Sequence, residues 1–191
     1  DICTVDKNFK YPQVFRTDLA LEQKLPYDMK LTLEGLYSKT MNNVFFENLA
    51  LTGKGKVYAV SGVENSSAPL YSVENSDYYS IINLKNTSRG YTYSLSAQLE
   101  KSFDFGLNAS VSYTYGHSKS VFDGTSSVAY SNWKYNYAYD SNNPDLSYST
   151  FDIPNRIVAT LSYTTPKYLN GLFNTNVGLV YTGSNGMRYS L

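Results

Sequence analysis

Hydrophobic and polar residues alternate along several segments of this chain with a period of two, which predicts β-strands with one apolar and one polar face. In "VFRTDLALEQKL", Phe15, Thr17, Leu19 and Leu21 share one side, and Arg16, Asp18, Glu22 and Lys24 the other. After "PYD" the pattern resumes in "MKLTLEGLYSK". There Met29, Leu31, Leu33 and Tyr37 oppose Lys30, Thr32, Glu34 and Ser38, so a hairpin is expected over about 13–39. A second hairpin, over about 90–116, joins "YTYSLSAQLEKSF" to "LNASVSYTY" through "DFG". It sets Tyr91, Tyr93, Leu95, Ala97, Leu99 and Phe103, then Leu107, Ala109, Val111, Tyr113 and Tyr115, against Ser, Thr, Gln, Glu and Asn. A third, over about 155–184, joins "RIVATLSYT" to "LFNTNVGLVYT" through "TPKYLNG". No helical period competes. The predicted fold class is all-β, an antiparallel meander of about six strands in three hairpins.

The connections alternate short and long, with the long ones at about 40–89 and 117–154. Aromatic residues gather at both ends of the apolar faces. Phe15, Tyr37, Tyr91, Tyr93, Tyr113, Tyr115 and Tyr181 lie toward the long connections, and Phe103, Tyr163 and Phe173 toward the short turns. Leu, Ala, Val and Ile fill the middle. Transmembrane-type strands of an outer-membrane β-barrel have this layout: an apolar band, two aromatic girdles, short periplasmic turns, long external loops and a polar face toward the lumen. Lys101, on the apolar face beside a short turn, is then expected to snorkel to the interface. A soluble β-sandwich also alternates, but its connections need not alternate in length and its buried face has no reason to end in tyrosines. Six strands fall short of the roughly eight of the smallest membrane barrels, and open edges in lipid leave backbone groups unpaired. The expectation is therefore a piece of a larger barrel.

Composition narrows the functions. The 191 residues carry 16 basic and 16 acidic side chains, so no net charge points to nucleic acid. No run approaches the roughly 18 apolar residues of a transmembrane helix. The chain opens at Asp1 without a signal peptide, which suggests a mature or excised segment. Cys3 is the one cysteine and is expected in a frayed terminus without a role. His117 is the one histidine. It is expected just past a strand end, as a polar loop residue with no nucleophile or carboxylate at motif spacing.

Asp18, Glu22, Glu34 and Glu100 share the polar face with Arg16, Lys24, Lys30 and Arg156, which predicts cross-strand ion pairs rather than acid–base catalysis. "DSNNPDLS" at 140–147 lacks the glycine and closing glutamate of an EF-hand loop. "GKGKV" at 53–57 lacks the spacing of a phosphate loop, and the sequons at Asn65, Asn86 and Asn108 carry little meaning in a bacterial barrel. Neither an enzyme nor a cofactor or metal is expected.

One segment stands apart. "NWKYNYAY", residues 132–139, places Trp133, Tyr135, Tyr137 and Tyr139 at alternate positions between two turn-rich stretches. An aromatic strand within an external loop is expected. Its rings either pack against neighbouring loop segments or offer their faces to an extracellular ligand, and these four are the candidate ligand-binding residues.

The segments "FKYPQVFRTDLALEQKLPYDMKLTLEGLYSK", "NTSRGYTYSLSAQLEKSFDFGLNASVSYTYGHSKSVFDGTSS", "SNWKYNY" and "FDIPNRIVATLSYTTP" resemble, in order, the barrel of TonB-dependent outer-membrane receptors. The likeness is to the Oar-like branch of Bacteroidetes, whose members often carry a carboxypeptidase-regulatory-like domain, and it runs over roughly 8–183. The resemblance implies a barrel of about 22 strands around a plug. It implies residence in the bacterial outer membrane, contact with its lipid, and uptake of a nutrient too large for porins, energised by TonB through an N-terminal part absent from this segment. A surface adhesion protein that binds a ligand without transport is the alternative. The excised segment is expected to self-associate through its open edges.

Overall fold

The computed structural model describes residues 2–59, 67–73, 78–124, 126–168 and 172–188. Along the chain these form β1 (Ile2–Val5), β2 (Gln13–Leu25), β3 (Met29–Asn48), β4 (Leu51–Ala59), β5 (Ser67–Val73), β6 (Ile81–Thr87), β7 (Gly90–Ser102), β8 (Leu107–Ser120), α1 (Ala129–Lys134), β9 (Ser147–Tyr148), β10 (Asn155–Thr164) and β11 (Asn176–Ser184). No described helix is long and apolar enough to cross a membrane. The fold is all-β, and the chain divides into two compact units.

The first, the wall unit, comprises Arg16–Lys39, Tyr91–Ser118 and Thr150–Leu191. Its strands lie in the order β2–β3–β7–β8–β10–β11. The registers align the alternating faces across the sheet. Leu31 faces Leu99, Leu33 faces Ala97 and Tyr37 faces Tyr93. Tyr113 faces Ile157 and Val111 faces Ala159, which in turn faces Tyr181. A one-residue slip would turn every one of these side chains to the other face. The aligned apolar face has no cover: Leu19, Leu21, Leu33, Leu95, Val111, Leu161, Val177 and Leu179 are all exposed.

The polar face carries the expected ion pairs, Lys30 bonding Glu100 at 2.9 Å and Glu22 at 3.7 Å. Hydroxyls pair across strands on the same face, Ser110 with Thr160 at 2.6 Å and Thr92 with Ser118 at 3.0 Å. Lys101 folds its ammonium over Phe103 (4.6 Å) and Tyr27 (5.8 Å).

Local chemistry sets the turns. Tyr27 and Asp28 both take positive φ (64° and 56°), the type I′ geometry whose twist matches that of the flanking strands. Gly106 turns between β7 and β8 at φ +94°, and a Cβ there would meet the Thr164 carbonyl oxygen at 2.3 Å. Strand β11 begins at Asn176, later than the expected Leu172. Around the preceding turn the Thr175 N–H bonds Thr165 Oγ1 and the Tyr168 hydroxyl lies 2.9 Å from Thr175 Oγ1. The Thr165 N–H still bonds the Thr175 carbonyl at 2.8 Å, and beyond it Phe173 is left in an isolated bridge to Tyr168. The sheet does not close: among the described residues β2 pairs only with β3, and β11 only with β10.

The second, the connection unit, comprises Asp1–Phe15, Thr40–Gly90 and Lys119–Ser149. Here the sequence expectation is corrected, because residues 40–89 carry strands. The later part of β3 pairs antiparallel with β6, from Asn43↔Thr87 to Asn48↔Ile82. On its other side β6 pairs parallel with β1, so Cys3 sits exposed in a paired strand rather than a frayed end. Strands β4 and β5 form a separate antiparallel ribbon, and β9 pairs with the last residues of β8. The reason for the missed strands lies in "VFFEN", where consecutive apolar residues hide the two-residue period. Phe45 enters a core with Val121 and Phe122, while Val44 and Phe46 pack beside it; Phe46 meets Phe122 edge-on at 5.3 Å.

Candidate functional sites

The octapeptide 132–139 is not a strand. Residues 129–134 form one short helix, α1, and the chain continues irregularly. Asn132, inside the expected strand, is buried and decides the local fold. Its Oδ1 accepts the Ser126 N–H at 2.9 Å, and its Nδ2 donates to the Ser126 carbonyl at 2.6 Å. These bonds close a turn that a strand would have to break.

The four candidate aromatics therefore separate in role. Trp133 is half-buried and its Nε1 donates to Asn142 Oδ1 at 2.8 Å. Tyr135, Tyr137 and Tyr139 are exposed, Tyr137 by 89%. Lys134 holds its ammonium over Tyr135 at 5.4 Å and over Tyr130 at 5.7 Å.

A polar network fastens this segment within the connection unit. Asn48, 2% exposed, accepts the N–H groups of Ala50 and Ile81 on Oδ1, each at 3.0 Å. Asn142 accepts the Asn48 N–H and donates back to the Asn48 carbonyl, both at 2.9 Å. Asp140 Oδ1 accepts the N–H groups of Asn142 and Asn143 at 3.0 Å and the Tyr71 hydroxyl at 2.5 Å. Burial, then the Asp140 carboxylate, push the Tyr71 phenol up to about 12. The "DSNNPDLS" stretch thus spends its first carboxylate on a turn. Among the described residues no group of three His, Cys, Asp or Glu is placed to hold a metal ion. Asn86 bonds the Lys10 backbone through both its amide atoms, whereas Asn65 lies outside the described residues.

The wall unit contains a cluster that sequence reasoning missed. His117 lies within β8 rather than past its end, on the same face as Tyr113 and Tyr115. Its Nδ1 stands 3.2 Å from Asp152 Oδ2; a carboxylate only accepts, so Nδ1 carries the proton. Its Nε2 meets the Tyr115 hydroxyl at 3.1 Å, and its ring stands edge-on to Tyr115 (5.3 Å) and Tyr93 (5.9 Å).

Asp152 is 1% exposed and takes two further donors, the Ser118 N–H at 2.7 Å and Arg188 Nε at 2.9 Å. Burial alone would raise its pKa; the Ser118 N–H, Arg188 and His117 outweigh it, and the net shift is downward. The arrangement holds an imidazole and a guanidinium on one buried carboxylate. Asp152 belongs to "DIPNR", singled out in the sequence, but 35 residues separate it from His117 and no spacing rule joins them.

The family described as outer membrane beta barrel domain matches residues 1–186. No curated protein and no solved structure matches the chain.

Proposed function

The chain belongs to the outer membrane β-barrel domain family, and from that premise we propose that it is the wall and external-loop portion of a TonB-dependent transporter of the Oar-like branch of Bacteroidetes. It is a barrel-wall portion of an outer-membrane protein, with its uncovered apolar face toward lipid. The parent imports a nutrient too large for porins, with energy delivered by TonB through the N-terminal part of that parent. Its role is binding and passage rather than chemistry. The long connections face outward, and Tyr135, Tyr137 and Tyr139 offer ring faces to the extracellular ligand while Trp133 anchors the segment that carries them.

The observation that supports transport is the connection unit itself. Residues from both long connections share one core and one Asn48–Asn142 clamp, the rigidity a receptor needs to hold its ligand contacts in place. The exposed tyrosines equally favour the second reading, a surface adhesion protein that binds without transport.

Deleting the parent gene and measuring uptake across a labelled nutrient panel, with and without TonB, separates the two. Transport predicts loss of one uptake that TonB loss reproduces. Adhesion predicts intact uptake and lost attachment. Expressed alone, the chain is expected to self-associate through β2 and β11; a monodisperse monomer in light scattering would count against that.

A further inference from the structure

Two phenols of β8 share a face and a similar exposure but differ in the group that receives their proton. Tyr113, 47% exposed, donates its hydroxyl to Asn155 Oδ1 at 2.5 Å. An amide oxygen accepts that bond without taking up the proton. Tyr115, 39% exposed, lies 3.1 Å from His117 Nε2. Since Nδ1 carries the imidazole proton toward Asp152, Nε2 is the acceptor, and the Tyr115 hydroxyl meets a base.

That base is held from behind. Asp152 is buried and fixed by the Ser118 N–H at 2.7 Å and by Arg188 Nε at 2.9 Å, so its place does not depend on the imidazole. The His117 ring stands edge-on to Tyr93 as well as to Tyr115. A buried carboxylate, an oriented imidazole and a partly exposed hydroxyl follow in the order that activates an oxygen nucleophile. The imidazole takes the proton as the oxygen attacks, and the carboxylate stabilises the imidazolium that forms. Arg188 shares this carboxylate and tempers the charge offered to His117, which keeps the expected gain at the low end for general-base assistance.

We propose that Tyr115 is a nucleophilic tyrosine, the site at which this wall accepts an acyl group from an apolar activated ester. The phenolic oxygen attacks the ester carbonyl, and a new O–C bond forms as the bond to the leaving oxygen breaks. The phenolic proton passes to His117 Nε2 and from there to the departing oxygen. His117 is the base and Asp152 the positioning residue. An apolar donor fits the surroundings, because Tyr115 shares its face with Val111 and stands beside the Tyr93 ring at 6.4 Å. The product is an aryl ester on the wall itself, so the inference names a modification site and requires neither transport nor turnover.

The test uses the full-length protein extracted from native membranes into neutral detergent micelles and exposed briefly to p-nitrophenyl butyrate. Acylated tyrosines are mapped by peptide mass spectrometry, and heat-modifiable gel migration confirms that each variant is folded. Tyr113 is the internal control, since it lies on the same strand and face under the same detergent. Tyr115 is expected to be acylated at least about tenfold faster than Tyr113. It should also outpace Tyr137, although Tyr137 is 89% exposed.

His117→Gln is expected to abolish the preference for Tyr115, and free imidazole should restore part of it in His117→Ala. Among folded variants, Asp152→Glu should retain more of the preference than the isosteric Asp152→Asn, because charge rather than shape is required. The reverse order would reduce Asp152 to a structural part. Equal acylation of Tyr113 and Tyr115, acylation that simply follows exposure, or a preference that survives His117→Gln would each overturn the assignment.

Discussion

The wall unit and the connection unit come from one chain and treat their apolar residues in opposite ways. In the connection unit Phe45, Val121 and Phe122 turn inward to a common core, as in any water-soluble domain. In the wall unit Leu19, Leu161 and Leu179 point out of a single sheet with nothing over them. Water would penalise that exposure, whereas lipid does not. The polar residues invert too. The connection unit buries Asn48, Asn132 and Asp140 and satisfies each with backbone donors or acceptors, while the wall spreads Ser, Thr and ion pairs over an open face. The difference fits the proposed contact with lipid, under which two solvents act on one polypeptide and each unit's stability answers to its own.

The largest test of that contrast is Phe45→Ala, which empties the connection unit's core and is expected to cost about 3–5 kcal/mol within that unit. Hydrogen exchange should rise across β6 and residues 119–149, with the wall's heat-modifiable migration kept. Simultaneous loss of both would mean the two units are not energetically separate.

Arginine placed at exposed apolar positions gives the next effect. Leu161→Arg, in mid-band on the wall, is expected to destabilise the membrane-inserted protein by about 2–4 kcal/mol. Leu49→Arg, equally exposed in the connection unit, should stay within about 0.5 kcal/mol of the parent. Equal costs in denaturant titrations from lipid vesicles would remove the two-solvent account.

Smaller again is Gly116→Ala. A Cβ there would lie 2.4 Å from the Tyr93 carbonyl oxygen and 2.9 Å from Ser94 Cα, so β7 and β8 must part. A cost of about 1–3 kcal/mol is expected, because the wall depends on close backbone pairing rather than on a core. Gly178→Ala, where nothing lies within 4 Å, is the matched control and should be near neutral.

The smallest effects are in pH, at opposite ends of the scale. The pKa of Asp152 is lowered in the fold, so its contribution to the wall is complete above the ordinary 3.8 and is lost as pH falls through the folded value. Tyr71 is raised from 10.0 to about 12, so its contribution to the connection unit is complete below 10 and is lost as pH rises toward 12. Asp152→Asn should flatten only the acid limb of a stability profile and Tyr71→Phe only the alkaline one. A profile in which either variant alters both limbs would argue against this assignment.

What the sequence determined by itself was the wall. Each of its strands sets an apolar side against a polar one, so the two-residue period survives along them, and Leu31, Leu99, Val111 and Leu161 reveal their face locally. The connection unit was decided by tertiary structure. Its β3 extension is half-buried on both sides, which erases the period around Phe45 and Phe46. The alternation of Trp133, Tyr135, Tyr137 and Tyr139 imitates a strand, but the bonds from Asn132 to Ser126 select a turn and short helix. His117, Asp152 and Arg188 meet only because β8, β10 and β11 lie side by side, and a contact across 35 residues depends on strand pairing rather than local pattern.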